Sequence, residues 1–146
     1  MTFASPTLRL TEAQYRQIVG HCYDGLPDEA CGLFAGPVTA DEEPTGVVSA
    51  VYPCANAEAS ARTYTVDSRD LIKAMRDAEQ RGHQLVGVFH SHTHTDAYPS
   101  PTDVEQAMEP GWVYVIVSLR DGGPVLRAYR VRDQQITECQ VVLDRG

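Results

Sequence analysis

Apolar positions along the chain follow two rhythms, a helical one in the first half and an alternating one that dominates the rest. After a short apolar start at Leu8 to Leu10, the run Thr11-Glu12-Ala13-Gln14 has the form of a capping box. Tyr15, Ile18, Val19 and Cys22 follow at the spacing of an amphipathic helix, which Gly25 and Pro27 end. Ala30 to Gly36 predicts a short strand closed by Gly36-Pro37. An acidic loop runs from Val38 to Gly46, and Val47 to Val51 predicts another strand. Cys54 to Ser60 is small and polar and predicts a loop, whereas Arg62 to Val66 alternates like a strand.

Asp67 or Ser68 can cap a second helix, with Leu71, Ile72, Met75 and Ala78 on one face and Gly82 as its stop. Leu85 to Phe89 is a continuous apolar run suited to a strand covered on both faces. The polar stretch His90 to Pro99 leads to Ser100-Pro101-Thr102-Asp103, a helix start with Pro in its first turn. Val113 to Leu119, Val125 to Val131 and Ile136 to Leu143 predict three strands. The turns Asp121-Gly122-Gly123 and Asp133-Gln134-Gln135 join them as a meander. The pattern adds up to an α/β fold, one domain over residues 1–146, with a mixed or mostly antiparallel sheet and two main helices.

Composition agrees and narrows the function. Of 32 Leu, Ile, Val and Phe residues, 16 are the strand-favouring Val. The net charge is −8, and the basic residues are scattered: 11 Arg and the single Lys73. A duplex nucleic-acid binder needs a basic footprint, and an anionic membrane surface asks for the same, so neither is expected as a partner. Met-Thr-Phe-Ala-Ser-Pro at the start has no basic residue, and no apolar run approaches a membrane span. Cys22, Cys31, Cys54 and Cys139 are widely spaced without Cys-x-x-Cys, which predicts four reduced, mostly buried thiols in a cytoplasmic protein.

The chemistry concentrates at His90-Ser91-His92-Thr93-His94. If the strand from Leu85 continues through this segment, alternation turns all three imidazoles to one side. Two imidazoles at i and i+2 present two nitrogen ligands to zinc, and a catalytic zinc takes three protein ligands. His94, Asp96, Asp103 or a more distant carboxylate could be the third. No Cys lies near the cluster, and the nucleobase-deaminase and His-Glu-x-x-His signatures are absent.

His90-x-His92, seven residues, Ser100, two residues and Asp103 resembles the motif of the JAMM metallopeptidases, the catalytically competent MPN (Mov34) domains. That family carries an upstream Glu in a Pro-x-Glu-x-Cys-Gly-Leu context, and this chain reads Pro27-Asp28-Glu29-Ala30-Cys31-Gly32-Leu33. Phe89 to Thr93, Ala97-Tyr98-Pro99-Ser100, Thr102-Asp103-Val104 and Glu109-Pro110 further resemble the bacterial CysO-cysteine peptidase subgroup. Thr93 stands where many family members have Pro, a departure that the cysteine-releasing subgroup shares.

The resemblance implies a curved, mostly antiparallel sheet packed against helices, in a cytidine-deaminase-like architecture. It also implies one Zn2+ per chain, held by His90, His92 and Asp103. Glu29 would be the general base and acid, and Ser100 would donate to the oxyanion. The implied substrate is a ubiquitin-like sulfur-carrier protein, cut at its C-terminal amide to release cysteine. Deconjugation or processing of another ubiquitin-like protein is the near alternative. A non-catalytic MPN scaffold and a three-histidine zinc hydratase using His94 are the distant ones. Read without the family, Asp103 stands evenly between a metal ligand and a helix-cap carboxylate, Ser100 is equally an N-cap hydroxyl, Glu29 is a surface carboxylate, Ser91 is structural and Cys31 a packed thiol. Asn56 and Tyr64 sit where the family often has an Asn and an aromatic, and no chemistry is assigned to them.

Overall fold

The structure, a computed structural model, describes residues 7–107 and 109–145. Its elements run β1 (Thr7–Thr11), α1 (Glu12–Asp24), β2 (Cys31–Gly36), β3 (Ala50–Cys54), α2 (Ser68–Gln80), β4 (Gln84–His92), α3 (Pro101–Gln106), β5 (Val113–Ser118), β6 (Val125–Arg132) and β7 (Gln135–Asp144). Both capping expectations hold. Thr11 and Gln14 form a reciprocal capping box on α1, and the Asp67 carboxylate accepts the first N–H groups of α2.

One seven-stranded sheet carries the fold, in the order β1-β7-β6-β5-β4-β2-β3. It is mixed: β1 with β7 and β4 with β5 are parallel, and every other pair is antiparallel. The meander β5-β6-β7 is present as the turn signals required. The parallel neighbours β4 and β5 need a crossover, which α3 and its flanking loops supply.

The sheet buries both faces. Ile18 and Val19 of α1 cluster with Leu8, Leu10, Phe34, Phe89, Val115 and Val117; on the other side Ala74 of α2 joins Leu33, Cys54, Val88 and Tyr114. Two cross-strand pairs lock the centre. Gly32 lies opposite Phe89, and Phe34 lies opposite Gly87, so each ring occupies the space above a glycine. A Cβ on Gly32 would sit 2.3 Å from the Phe89 ring, and one on Gly87 would sit 2.1 Å from Phe34. All four cysteines are free and buried, as expected. Among the described residues no helix is long and apolar enough to cross a membrane.

Three local expectations need correction. The strand expected at Val47–Val51 forms at Ala50–Cys54, because Val47 and Val48 are tied instead to β1 through Arg9. Arg62–Val66 is no strand: a single bridge joins Asn56 to Val66, and the alternation there serves a side-chain-stapled loop. On α2 the buried stripe is Ala74 and Ala78, with Ile72 and Met75 left exposed.

Candidate active site

Topology alone brings the distant motifs together. Because β2 runs antiparallel to β4, the first residue of β2, Cys31, pairs with His90 near the end of β4. Glu29, just before β2, therefore arrives beside the histidines. The crossover after β4 returns α3 to the same end of the sheet, with Asp103 in its first turn.

Val88, His90 and His92 share the sheet face that carries α2, while Ser91 turns the other way. Nε2 of His90 and Nε2 of His92 lie 3.2 Å apart. The two Asp103 carboxylate oxygens sit 3.2 Å from His90 Nε2 and 3.0 Å from His92 Nε2. All three potential ligand atoms fall within 4.8 Å of one another. Two imidazole nitrogens and one carboxylate oxygen suit a divalent transition metal and leave further coordination positions open. Facing nitrogens so close cannot both be lone pairs without cost, and a shared cation removes that conflict.

The ligand-bearing side chains are held from behind. His92 Nδ1 meets the Asp96 carbonyl at 2.7 Å, which places its proton there and leaves Nε2 as the ligand atom. His90 is fully enclosed; its ring stacks on Tyr64 at 4.4 Å and 21°, and its Nδ1 has no hydrogen-bond partner among the described residues. Burial pushes its pKa down, keeping the imidazole neutral and able to coordinate.

Asp103 caps its own helix with a carboxylate that also faces the two imidazoles. As the N3 residue of α3 it accepts the Ser100 N–H at 2.9 Å, while its own N–H donates to Ser100 Oγ at 3.1 Å. Burial alone would raise its pKa, but the adjoining imidazoles of His90 and His92 and the Ser100 N–H outweigh it and hold the carboxyl well below the usual range. The helix cap thus fixes the carboxylate that faces the histidines. Ser100 Oγ accepts from Asp103 N–H, and its hydroxyl hydrogen has no acceptor among the described residues.

Glu29 is only 6% exposed. Burial pushes its pKa up to about 7; His92 offsets part of the rise, and Asp103 and Glu58 add to it. A carboxyl poised near neutrality can both take and give a proton. Both backbone polar groups of Glu29 are engaged: its N–H donates to the Ser60 carbonyl at 2.7 Å, and its carbonyl accepts from Asn56 Nδ2 at 2.9 Å. The next residue, Ala30, donates to Ser91 Oγ at 2.9 Å.

His94 is exposed and outside the cluster, since β4 ends at His92 and alternation stops with it. That removes the geometric basis for a three-histidine site. Cys31 is fully buried, with its thiol pushed up to about 12 chiefly by burial, which leaves it inert. Asn56 and Tyr64, to which the sequence assigned nothing, prove to touch the site directly. The signal for Asn56 was its place in a small-residue turn, where a carboxamide can replace backbone partners.

Residues 11–132 match the model of the prokaryotic homologs of the JAB domain. The chain belongs to this JAB-domain family. Among its JAB-domain relatives, the CysO-cysteine peptidases of Mycobacterium tuberculosis and Mycobacterium bovis are 43% identical over 122 residues, covering 83% of this chain and 80% of theirs. A desampylase of Haloferax volcanii is 34% identical over 119 residues, 78% of this chain and 82% of that protein. The solution structure of a Desulfitobacterium hafniense protein superposes with a TM-score of 0.83 at 31% identity, covering 95% of this chain and 94% of the other.

Proposed function

We propose that this protein is a zinc metallopeptidase that hydrolyses the amide bond at the C-terminus of a ubiquitin-like sulfur-carrier protein and releases cysteine. The observation that carries this reading is the convergence of His90, His92 and the capped Asp103 beside a buried Glu29. The 43% identity to proteins named CysO-cysteine peptidase supports the substrate class.

Zinc held by His90, His92 and Asp103 would act as a Lewis acid toward the scissile carbonyl and make water acidic enough to attack near neutral pH. Glu29 takes the proton of the attacking water and passes it to the departing amine of cysteine. Ser100 donates its free hydroxyl hydrogen to the carbonyl oxygen as that oxygen becomes anionic. His92 keeps its orientation through the Asp96 carbonyl, and Tyr64 fixes the plane of the His90 ring. Four free, buried thiols fit a protein working in a reducing compartment such as the cytoplasm.

Glu29→Gln and Asp103→Asn separate the roles. Glu29→Gln is expected to keep about one zinc per chain and lose hydrolysis, whereas Asp103→Asn loses zinc affinity ~10-fold or more. Metal content by mass spectrometry and cysteine release by thiol assay read the two independently. If Asp103→Asn keeps its zinc while His94→Ala loses it, the ligand assignment is wrong. A non-catalytic scaffold would hold no zinc after dialysis against a weak chelator. Cleavage of a lysine-linked conjugate with no release of C-terminal cysteine would favour the deconjugating alternative, which the Haloferax relative represents.

A further inference from the structure

The peptide carrying Glu29 is held from two sides by side chains that take no part in the proposed chemistry. On one side stands the loop of residues 55–66. Asn56 Nδ2 donates to the Glu29 carbonyl at 2.9 Å and to the Thr63 carbonyl at 3.0 Å. Its Oδ1 accepts the N–H groups of Glu58 and Thr65, each at 3.0 Å. One carboxamide thereby uses both donors and both acceptor positions, all on backbone. The same loop presents the Ser60 carbonyl to the Glu29 N–H at 2.7 Å, so both polar groups of the Glu29 backbone end in it.

On the other side stands Ser91, between the two histidines. Its Oγ accepts the Ala30 N–H at 2.9 Å, and its own N–H donates to the Ala30 carbonyl at 3.0 Å. Ser91 is fully buried and points to the sheet face opposite His90 and His92. Glu29 and the histidines are therefore joined by rigid backbone through a single residue step, and the loop closes the frame from outside.

We infer that Asn56 and Ser91 are positioning residues that set the Glu29 carboxylate against the His90–His92–Asp103 cluster, acting on catalysis only through Glu29. The inference rests on the proposed role of Glu29 as proton carrier. A general base must sit within hydrogen-bond reach of the proton it takes, so a displacement of an ångström costs rate and leaves carrier binding and metal content alone. Asn56→Asp keeps the size and both acceptor positions and removes the two donors. It also turns a carboxylate toward the carbonyls of Glu29 and Thr63. Ser91→Ala deletes the hydroxyl that accepts the Ala30 N–H and also contacts the Cys22 thiol.

The test uses the zinc-loaded full chain and a ubiquitin-like carrier protein bearing a C-terminal cysteine. For both Asn56→Asp and Ser91→Ala we expect a ~10- to 100-fold fall in kcat, KM within ~2-fold and unchanged zinc content. In single-turnover reactions the double variant Glu29→Gln/Asn56→Asp should be no slower than Glu29→Gln alone, because nothing remains to be positioned. A KM increase with kcat unchanged overturns the inference, as does an additive loss in the double variant. Should Asn56→Asp fold poorly, Ser91→Ala with Glu29→Gln/Ser91→Ala carries the same comparison from the other side. An active Glu29→Gln would sink the proposed role of Glu29 itself, and this inference with it; an inactive Glu29→Gln with additive doubles sinks the inference alone.

Discussion

Asp103 and Glu29 show how two carboxylates of similar intrinsic acidity are driven apart by their surroundings. Asp103 lies against two imidazoles and the Ser100 N–H and stays ionised; Glu29 is buried with its carboxyl near neutrality. The second arrangement destabilises the fold. With its pKa raised from the ordinary 4.5 to about 7, Glu29 binds its proton more tightly in the folded than in the unfolded chain. The folded state therefore loses stability as pH rises through that interval, and bears the whole penalty above it. Glutamine cannot ionise, so Glu29→Gln should stabilise the metal-free protein above pH 7, by up to about 3 kcal/mol. Below pH 4.5 the advantage should vanish. Urea unfolding in the presence of chelator, at the two ends of this pH range, checks the sign; equal stability at high pH would show that burial does not strain Glu29.

At the scale of elements, β2 and β4 form the frame that brings Glu29 beside His90 and His92, and their reciprocal Gly–Phe pairs hold them in register. Gly87→Ala would put a methyl 2.1 Å from the Phe34 ring and 2.3 Å from the Val113 carbonyl, the latter fixed backbone. Overpacking of this kind costs about 3 kcal/mol, measurable as a lower denaturation midpoint; a neutral substitution would mean the strands can slide. The same scale shows what the sequence made legible. Capped helices, the apolar β4 run and the meander were readable because each carries its own local signal. The positions of β3 and of the 55–66 loop were not, since Val47 is claimed by β1 and the loop by a single carboxamide. In the site, His90 and His92 announced themselves through i, i+2 spacing. Glu29 looked like a surface residue from sequence alone, because what buries it is the antiparallel pairing of β2 with a strand more than fifty residues later. Asn56 stood in a small-residue turn, but its role was not legible, because all four of its partners are backbone groups brought together by the fold.

At the scale of the whole molecule, the net charge is −8, with 20 acidic residues against 12 basic ones. Two of those negative groups, Glu29 and Asp103, now lie at one end of the sheet beside two imidazoles, where a divalent cation would be locally compensated. Helices pack on both faces of the sheet, so under the proposed function a carrier protein would be read by the loops at the strand ends beside the site. The most direct measurement is the intact mass of a ubiquitin-like carrier bearing a C-terminal cysteine after incubation with the zinc-loaded protein. The account predicts loss of one cysteine residue from the carrier with the wild-type chain, and no change with Glu29→Gln at equal zinc content. An unchanged carrier mass with zinc bound to the wild-type chain would contradict it.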